Sequence, residues 1–102
     1  RNYQCTIDFT ENVLELEPIT DKWESFGWMV ERVNGSSFEE IFKSLRYLRS
    51  RRHRKPTVII ADTVKGEGIE YISNVPLWHG TAPIKQEDVD ACREDLIRGK
   101  NG

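Results

Sequence analysis

"KPTVIIADTVKGEG", Lys55–Gly68, is the stretch on which the fold turns. Pro56 introduces Thr57–Asp62, a short and nearly continuous apolar run rich in β-branched residues. Such a run suits a strand covered on both faces, as in a parallel sheet. Open α/β sheets bind ligands beyond the carboxyl ends of their strands, and this strand delivers the chain into Thr63, Val64, Lys65, Gly66, Glu67 and Gly68. Two glycines around a charged residue let backbone approach a ligand closely, and a lysine there can meet an anion. The motif is short, and a plain loop with an exposed lysine accounts for it equally well.

Upstream, the pattern alternates between helix and strand. Ser37 followed by Glu40 reads as a capping box, in which the hydroxyl accepts from the third helical amide while the carboxylate reaches back. Behind it Phe38, Ile41, Phe42, Leu45 and Leu48 recur at helical spacing, so a helix with one apolar face is expected. "WMVERVN", Trp28–Asn34, reads as a strand closed by the Asn34-Gly35 turn. Ile19, Trp23 and Phe26 mark one face of a short helix that starts near Pro18 and ends at Gly27. "NYQCTI", Asn2–Ile7, reads as a first strand, followed by an acidic connection.

Downstream, residues 63–84 form a long irregular segment, a length that in a compact domain points to function or disorder. A last helix is expected over Gln86–Ile97, with Glu87 and Asp88 near its positive end and Gly99 ending it. The order strand, helix, strand, helix, strand, loop, helix implies an α/β fold: a parallel sheet with flanking helices and right-handed crossovers.

Composition excludes several classes. A chain of 102 residues buries one core, and 37% hydrophobic with 31% charged residues describes an ordinary globular surface rather than a disordered chain. The net charge of -2 imposes no nucleic-acid partner. The basic stretch "RSRRHRK", Arg49–Lys55, follows a helix end, where cations are favoured, and no aromatic platform accompanies it. Cys5 and Cys92 form neither a disulfide framework nor a zinc motif. No apolar run approaches the roughly 20 residues that span a bilayer, so no membrane partner is expected and the cytoplasm is the expected compartment. The start at Arg1, without methionine and directly before a strand-like run, leads us to expect further sequence upstream.

His79 stands alone in "PLWHGTAP", Pro76–Pro83. A single loop histidine is more often structural or solvated than catalytic. At the mouth of a sheet its imidazole can also donate to a phosphate, a substrate hydroxyl or a carbonyl.

Three stretches together go further. "LEPITDKWESFGWMVERVNGSSFEEI" (16–41), "KPTVIIADTVKGEGIEYI" (55–72) and "WHGTAP" (78–83), in this order and spacing, closely resemble the C-terminal part of the thiamine-diphosphate (pyrophosphate-binding) domain of transketolases, especially the bacterial and archaeal type split into two subunits. The resemblance makes residues 1–102 the C-terminal segment of that domain, with the GDG-containing part lying upstream. It implies a thiamine-diphosphate-binding α/β fold and transfer of a two-carbon ketol unit from a ketose phosphate to an aldose, in carbohydrate metabolism of the pentose-phosphate type. It implies thiamine diphosphate with Mg²⁺ (or Ca²⁺) as cofactors. The implied partners are sugar phosphates and a pyrimidine-binding subunit or domain, which supplies the catalytic glutamate, in a dimer of heterodimers.

Residue by residue, His79 matches the family's active-site histidine beside the diphosphate and the sugar. Lys65, Gly66 and Gly68 match the adjoining cofactor loop. Asn2 matches the metal-binding asparagine, with the main-chain carbonyl of Gln4 as a second metal ligand. The family commonly reads N-x-(L/I)-Q-(I/L)-D-G, whereas "NYQCTIDF" holds one extra residue before Asp8 and Phe9 in place of glycine. Counting back from Asp8 puts Tyr3 at the ligand position; carboxamide chemistry puts Asn2 there, and the role of Gln4 follows only from that register. The alternatives are a related thiamine-diphosphate enzyme such as a deoxyxylulose-phosphate synthase, or a non-catalytic α/β interaction module.

Overall fold

The computed structural model describes residues 1–6, 8–50, 54–80 and 82–100. Ile7 and Thr81, and Arg51, Arg52 and His53 of the basic stretch, lie outside the described residues. The elements in chain order are β1 (Gln4–Cys5), β2 (Asp8–Phe9), α1 (Thr10–Val13), α2 (Ile19–Ser25), β3 (Met29–Asn34), α3 (Phe38–Ser50), β4 (Thr57–Asp62), a 3-10 turn (Pro76–His79) and α4 (Gln86–Lys100). They divide into two compact units. The first consists of Arg1 and Leu16–Thr63; the second consists of Asn2–Glu15 and the chain from Val64 onward.

In the first unit, β3 and β4 pair in parallel, in register from Met29 opposite Thr57 to Asn34 opposite Asp62. This is the expected parallel α/β arrangement, with α3 as the connection between the two strands. On the opposite edge of β4, the amino terminus of Arg1 donates to the Ala61 carbonyl at 2.7 Å, and Thr63 N donates to the Arg1 carbonyl at 3.1 Å. One residue thus makes both bonds of a parallel ladder opposite Asp62.

α2 ends as its sequence dictates. Gly27 takes a positive φ of 83°, a region open to glycine at no steric cost. From there Gly27 N donates to Glu24 O (2.8 Å) and Trp28 N to Trp23 O (3.2 Å), the double closure of a Schellman motif. The Trp23 and Trp28 rings meet edge to face at 5.1 Å, the apolar contact that accompanies such a cap. At the other end, the Glu17 carboxylate accepts from Ile19 N at 3.1 Å.

Where β3 turns into α3, the expected capping box forms in half. Ser37 Oγ accepts from Glu40 N at 3.2 Å, in line with the sequence pattern. The Glu40 carboxylate, however, accepts from Asn34 N at 2.8 Å, because Ser37 N already donates to the Asn34 carbonyl. Gly35 serves close approach: a Cβ there would lie 2.5 Å from Thr63 Cγ2 and 2.8 Å from the Asp62 carbonyl.

One burial expectation is corrected. β4 is not covered on both faces; within it only Ile60 (6% exposed) is buried, and among the described residues Val33 (8%) of β3 is the other buried apolar residue. In the apolar stripe of α3, Phe38 is 91% exposed and Phe42 and Leu45 are exposed as well. Ser44 is the buried residue of that helix.

The second unit departs further from the sequence expectation. "NYQCTI" is not a strand of the parallel sheet: β1 is two residues long and pairs antiparallel with β2, Gln4 opposite Phe9 and Cys5 opposite Asp8. The physical reason is that Tyr3 (φ 60°) and Thr6 (φ 56°) both leave the extended region, so the chain reverses at once. The long segment after β4 is a chain of hydrogen-bonded turns, Glu67 N to Val64 O, Ile69 N to Gly66 O and Ile72 N to Ile69 O, leading into the 3-10 turn. α4 runs through Gly99 rather than stopping at it; a helical glycine costs only about 1 kcal/mol.

Asp88 fastens this last helix. Its carboxylate accepts from Lys85 N and from the Tyr71 hydroxyl, each at 2.7 Å, while Tyr71 N donates to Asp95 at 2.7 Å. Two turns of α4 are therefore tied to one tyrosine of the turn segment.

Candidate functional site

Asn2, Gln4, Lys65, Gly66, Gly68 and His79 all fall within the second unit. The short hairpin fixes the first two. Asn2 Oδ1 accepts from Gln4 N at 3.2 Å, a local turn that asparagine forms readily. The Gln4 side chain is buried (8% exposed), and its Nε2 donates to Asn74 Oδ1 at 3.1 Å. Asn74 N in turn donates to the Lys65 carbonyl at 2.8 Å. A continuous run of bonds thus joins Asn2, Gln4, Asn74 and Lys65.

In the loop itself, Gly66 (φ 78°) lies so close to Ile72 that a Cβ would stand 2.9 Å from its carbonyl oxygen. Its glycine is accounted for by the packing of the loop. Gly68 (φ 93°) faces open space. Lys65 is half-buried.

The turn Pro76–His79 lies against β2, which brings the histidine segment to the same hairpin that carries Asn2 and Gln4. Trp78, stacked at a tilt on Tyr71 with centroids 5.8 Å apart, anchors that turn. His79 is exposed at its end. The depressed Asp88 carboxyl, held below its ordinary range first by the Lys85 amide and then by the Tyr71 hydroxyl, belongs to this anchoring and not to the candidate site.

The donor set can be tested against a hard divalent cation. Asn2 Oδ1 and the Gln4 carbonyl are neutral oxygens of the type that Mg²⁺ and Ca²⁺ accept. Among the described residues no group of three or more His, Cys, Asp and Glu side chains is placed to hold a metal ion. These two oxygens are chemically compatible with a place in the shell of such a cation, and they are uncharged.

Sequence reasoning missed Asn74. Its left-handed backbone (φ 56°) is one that asparagine tolerates better than most residues, and its place just before "VP" in a turn-rich segment was the available signal.

Residues 2–100 match the family described as transketolase, thiamine diphosphate binding domain. The chain belongs to this family. It is 35% identical over 85 residues to an apulose-4-phosphate transketolase subunit of Phocaeicola vulgatus, covering 83% of this chain and 30% of that protein. Identity is again 35%, over 88 residues, to the subunit of the same name from Actinobacillus succinogenes, covering 86% and 31%. The transketolase of Mus musculus is 42% identical over 57 residues, 56% of this chain and 8% of that one. The transketolase-family chain thus spans about 30% of the length of the two bacterial subunits. In fold it is similar to the crystal structure of transketolase from Campylobacter jejuni, with a TM-score of 0.68 over 94% of this chain and 15% of that one, at 24% identity.

Proposed function

We propose that this chain is one part of a thiamine-diphosphate-dependent transketolase that moves a two-carbon ketol unit from a ketose phosphate to an aldose. The observation that carries the reading is the family match across residues 2–100, which takes in the Asn2 segment, the Lys65–Gly68 loop and His79 within one folded unit. Relatives that are themselves named as single subunits of a transketolase favour a second, pyrimidine-binding subunit for the partner. The assembly in this reading is a dimer of heterodimers located in the cytoplasm.

In this reading Asn2 Oδ1 and the Gln4 carbonyl would hold Mg²⁺ or Ca²⁺, and the Lys65–Gly68 loop would border the cofactor. The bound cofactor supplies the carbanion chemistry that a protein side chain cannot. His79, exposed at the end of its turn, orients and polarises substrate oxygens and donates a hydrogen bond to a phosphate or carbonyl oxygen, a positioning and electrostatic role. We assign no catalytic role to Lys65.

The test is His79→Ala in the assembled enzyme, assayed with a ketose phosphate donor and an aldose acceptor. Loss of one positioned donor is expected to lower kcat/KM by about 10²-fold, with an unchanged circular dichroism spectrum because the imidazole is exposed and carries no core packing. Kinetics equal to the parent would remove His79 from the site. The 102-residue chain by itself is expected to bind thiamine diphosphate and Mg²⁺ negligibly, and micromolar binding in a calorimeter would show that its own residues complete a site.

A further inference from the structure

We propose that Asn74 is a positioning residue that holds the Asn2–Gln4 segment in register with the Lys65–Gly68 loop. The inference rests on the reading above, in which Asn2 and Gln4 present oxygens to a cation.

The argument begins with Gln4. A glutamine is rarely buried without its amide satisfied, yet Gln4 is 8% exposed and its Oε1 has no partner among the described residues. Its Nε2, in contrast, is committed to Asn74 Oδ1 at 3.1 Å. One bond therefore orients a buried carboxamide whose oxygen has no partner among the described residues. Since the main chain of Gln4 also donates to Asn2 Oδ1, whatever fixes the Gln4 side chain fixes the geometry of the Asn2 carboxamide beside it.

Asn74 performs two tasks that only a few residues combine. Its backbone at φ 56° closes the turn in which Asn74 N meets the Lys65 carbonyl at 2.8 Å. Its carboxamide, projected from that turn, reaches Gln4, which lies 70 positions away in sequence. Glycine would keep the first task and lose the second. Aspartate would keep both, because the acceptor oxygen remains and aspartate also tolerates the left-handed region. Asn74 is not among the residues that the reading above places on the cation; it acts through Gln4, as residues behind metal ligands commonly do.

The experiment measures direct binding of MgCl₂ and thiamine diphosphate to the assembled enzyme by calorimetry, with Asn74→Gly, Asn74→Asp, Gln4→Leu, the Gly/Leu double variant and Asn2→Ala. Asn74→Gly is expected to weaken binding about tenfold, the low end for a residue behind a metal ligand. Asn74→Asp is expected to restore it. The double variant is expected to lose about as much as either single one, because both remove the same bond. Faster hydrogen exchange at the Gln4 and Cys5 amides of Asn74→Gly, without cofactor, is the accompanying sign. Parental binding by Asn74→Gly alongside weakened binding by Asn2→Ala overturns this inference and leaves the site reading intact. Failure of Asn74→Asp to rescue also overturns it, since the loss would then be one of loop integrity. Parental binding by Asn2→Ala overturns the site reading, and this inference with it.

Discussion

Arg32 and Asp62 meet across the parallel strands as a two-pronged ion pair, Nε to Oδ2 at 2.6 Å and Nη2 to Oδ1 at 2.9 Å. The same guanidinium reaches the Glu17 carboxylate at 3.3 Å, and Glu17 also accepts from Arg1 Nε at 3.2 Å. The geometry uses the planar fork of arginine, which a lysine ammonium cannot reproduce. Both side chains of the central pair are about a third exposed, so the gain is modest. Arg32→Lys is expected to lower unfolding stability by roughly 0.2–1 kcal/mol, with the difference shrinking in high salt. Urea titrations at two ionic strengths check this.

Gly35 stands at the point where the carboxyl ends of both strands converge. In Gly35→Ala the new methyl would meet Asp62 backbone at 2.8 Å, which no side-chain rotation relieves. The strand ends must separate, and a loss of about 1–3 kcal/mol is expected from overpacking of this kind. A parental denaturation midpoint in Gly35→Ala would show that the turn has slack.

Among the described residues Asp88, Glu17 and Tyr71 contribute to the pH dependence, as does Asp8, whose carboxyl is lowered first by the Asn12 carboxamide and then by the Phe9 amide. Asp88 is lowered by the Lys85 amide and then by Tyr71, and Glu17 by the Ile19 amide and then by Arg32 and Arg1. A depressed carboxyl binds fewer protons folded than unfolded, so its contribution is present above the ordinary value near pH 4 and disappears as pH falls through the folded one. Tyr71 is raised, chiefly by its bond to Asp88. Its contribution is complete below about pH 10 and is lost as pH climbs through the raised value. Thermal melts are expected to show both limbs, with a weakened acid limb in Asp88→Asn and a weakened alkaline limb in Tyr71→Phe.

How much of this was legible depended on whether a local signal and the tertiary environment agreed. α2, β3, α3 and β4 were readable because their periodicity, the Gly27 stop and the Asn34-Gly35 turn all act within a few residues. Within Asn2–Ile7 the strand shrinks to Gln4–Cys5 and pairs antiparallel, because the positive φ at Tyr3 and Thr6 leaves no trace in residue type. The cover of β4 differs from its pattern for a related reason: a pattern states which face seeks cover, not whether this stretch of chain supplies it. At the candidate site, the named residues were found through their resemblance to a family. Asn74 escaped because its part is a bond to a side chain far away in sequence, and no spacing rule encodes such a pair.

The edge of β4 opposite β3 carries one further consequence. Arg1 closes it only at its carboxyl end, and the two-stranded sheet leaves the preceding residues, Thr57 to Ile60, without a ladder on that side among the described elements. An open, β-branched edge is a template for any extended chain that arrives, and Pro56 guards only its beginning. Produced by itself, this polypeptide is therefore expected to be limited by solubility before it is limited by folding: self-recognition along one strand, rather than loss of the helices, sets its shelf life.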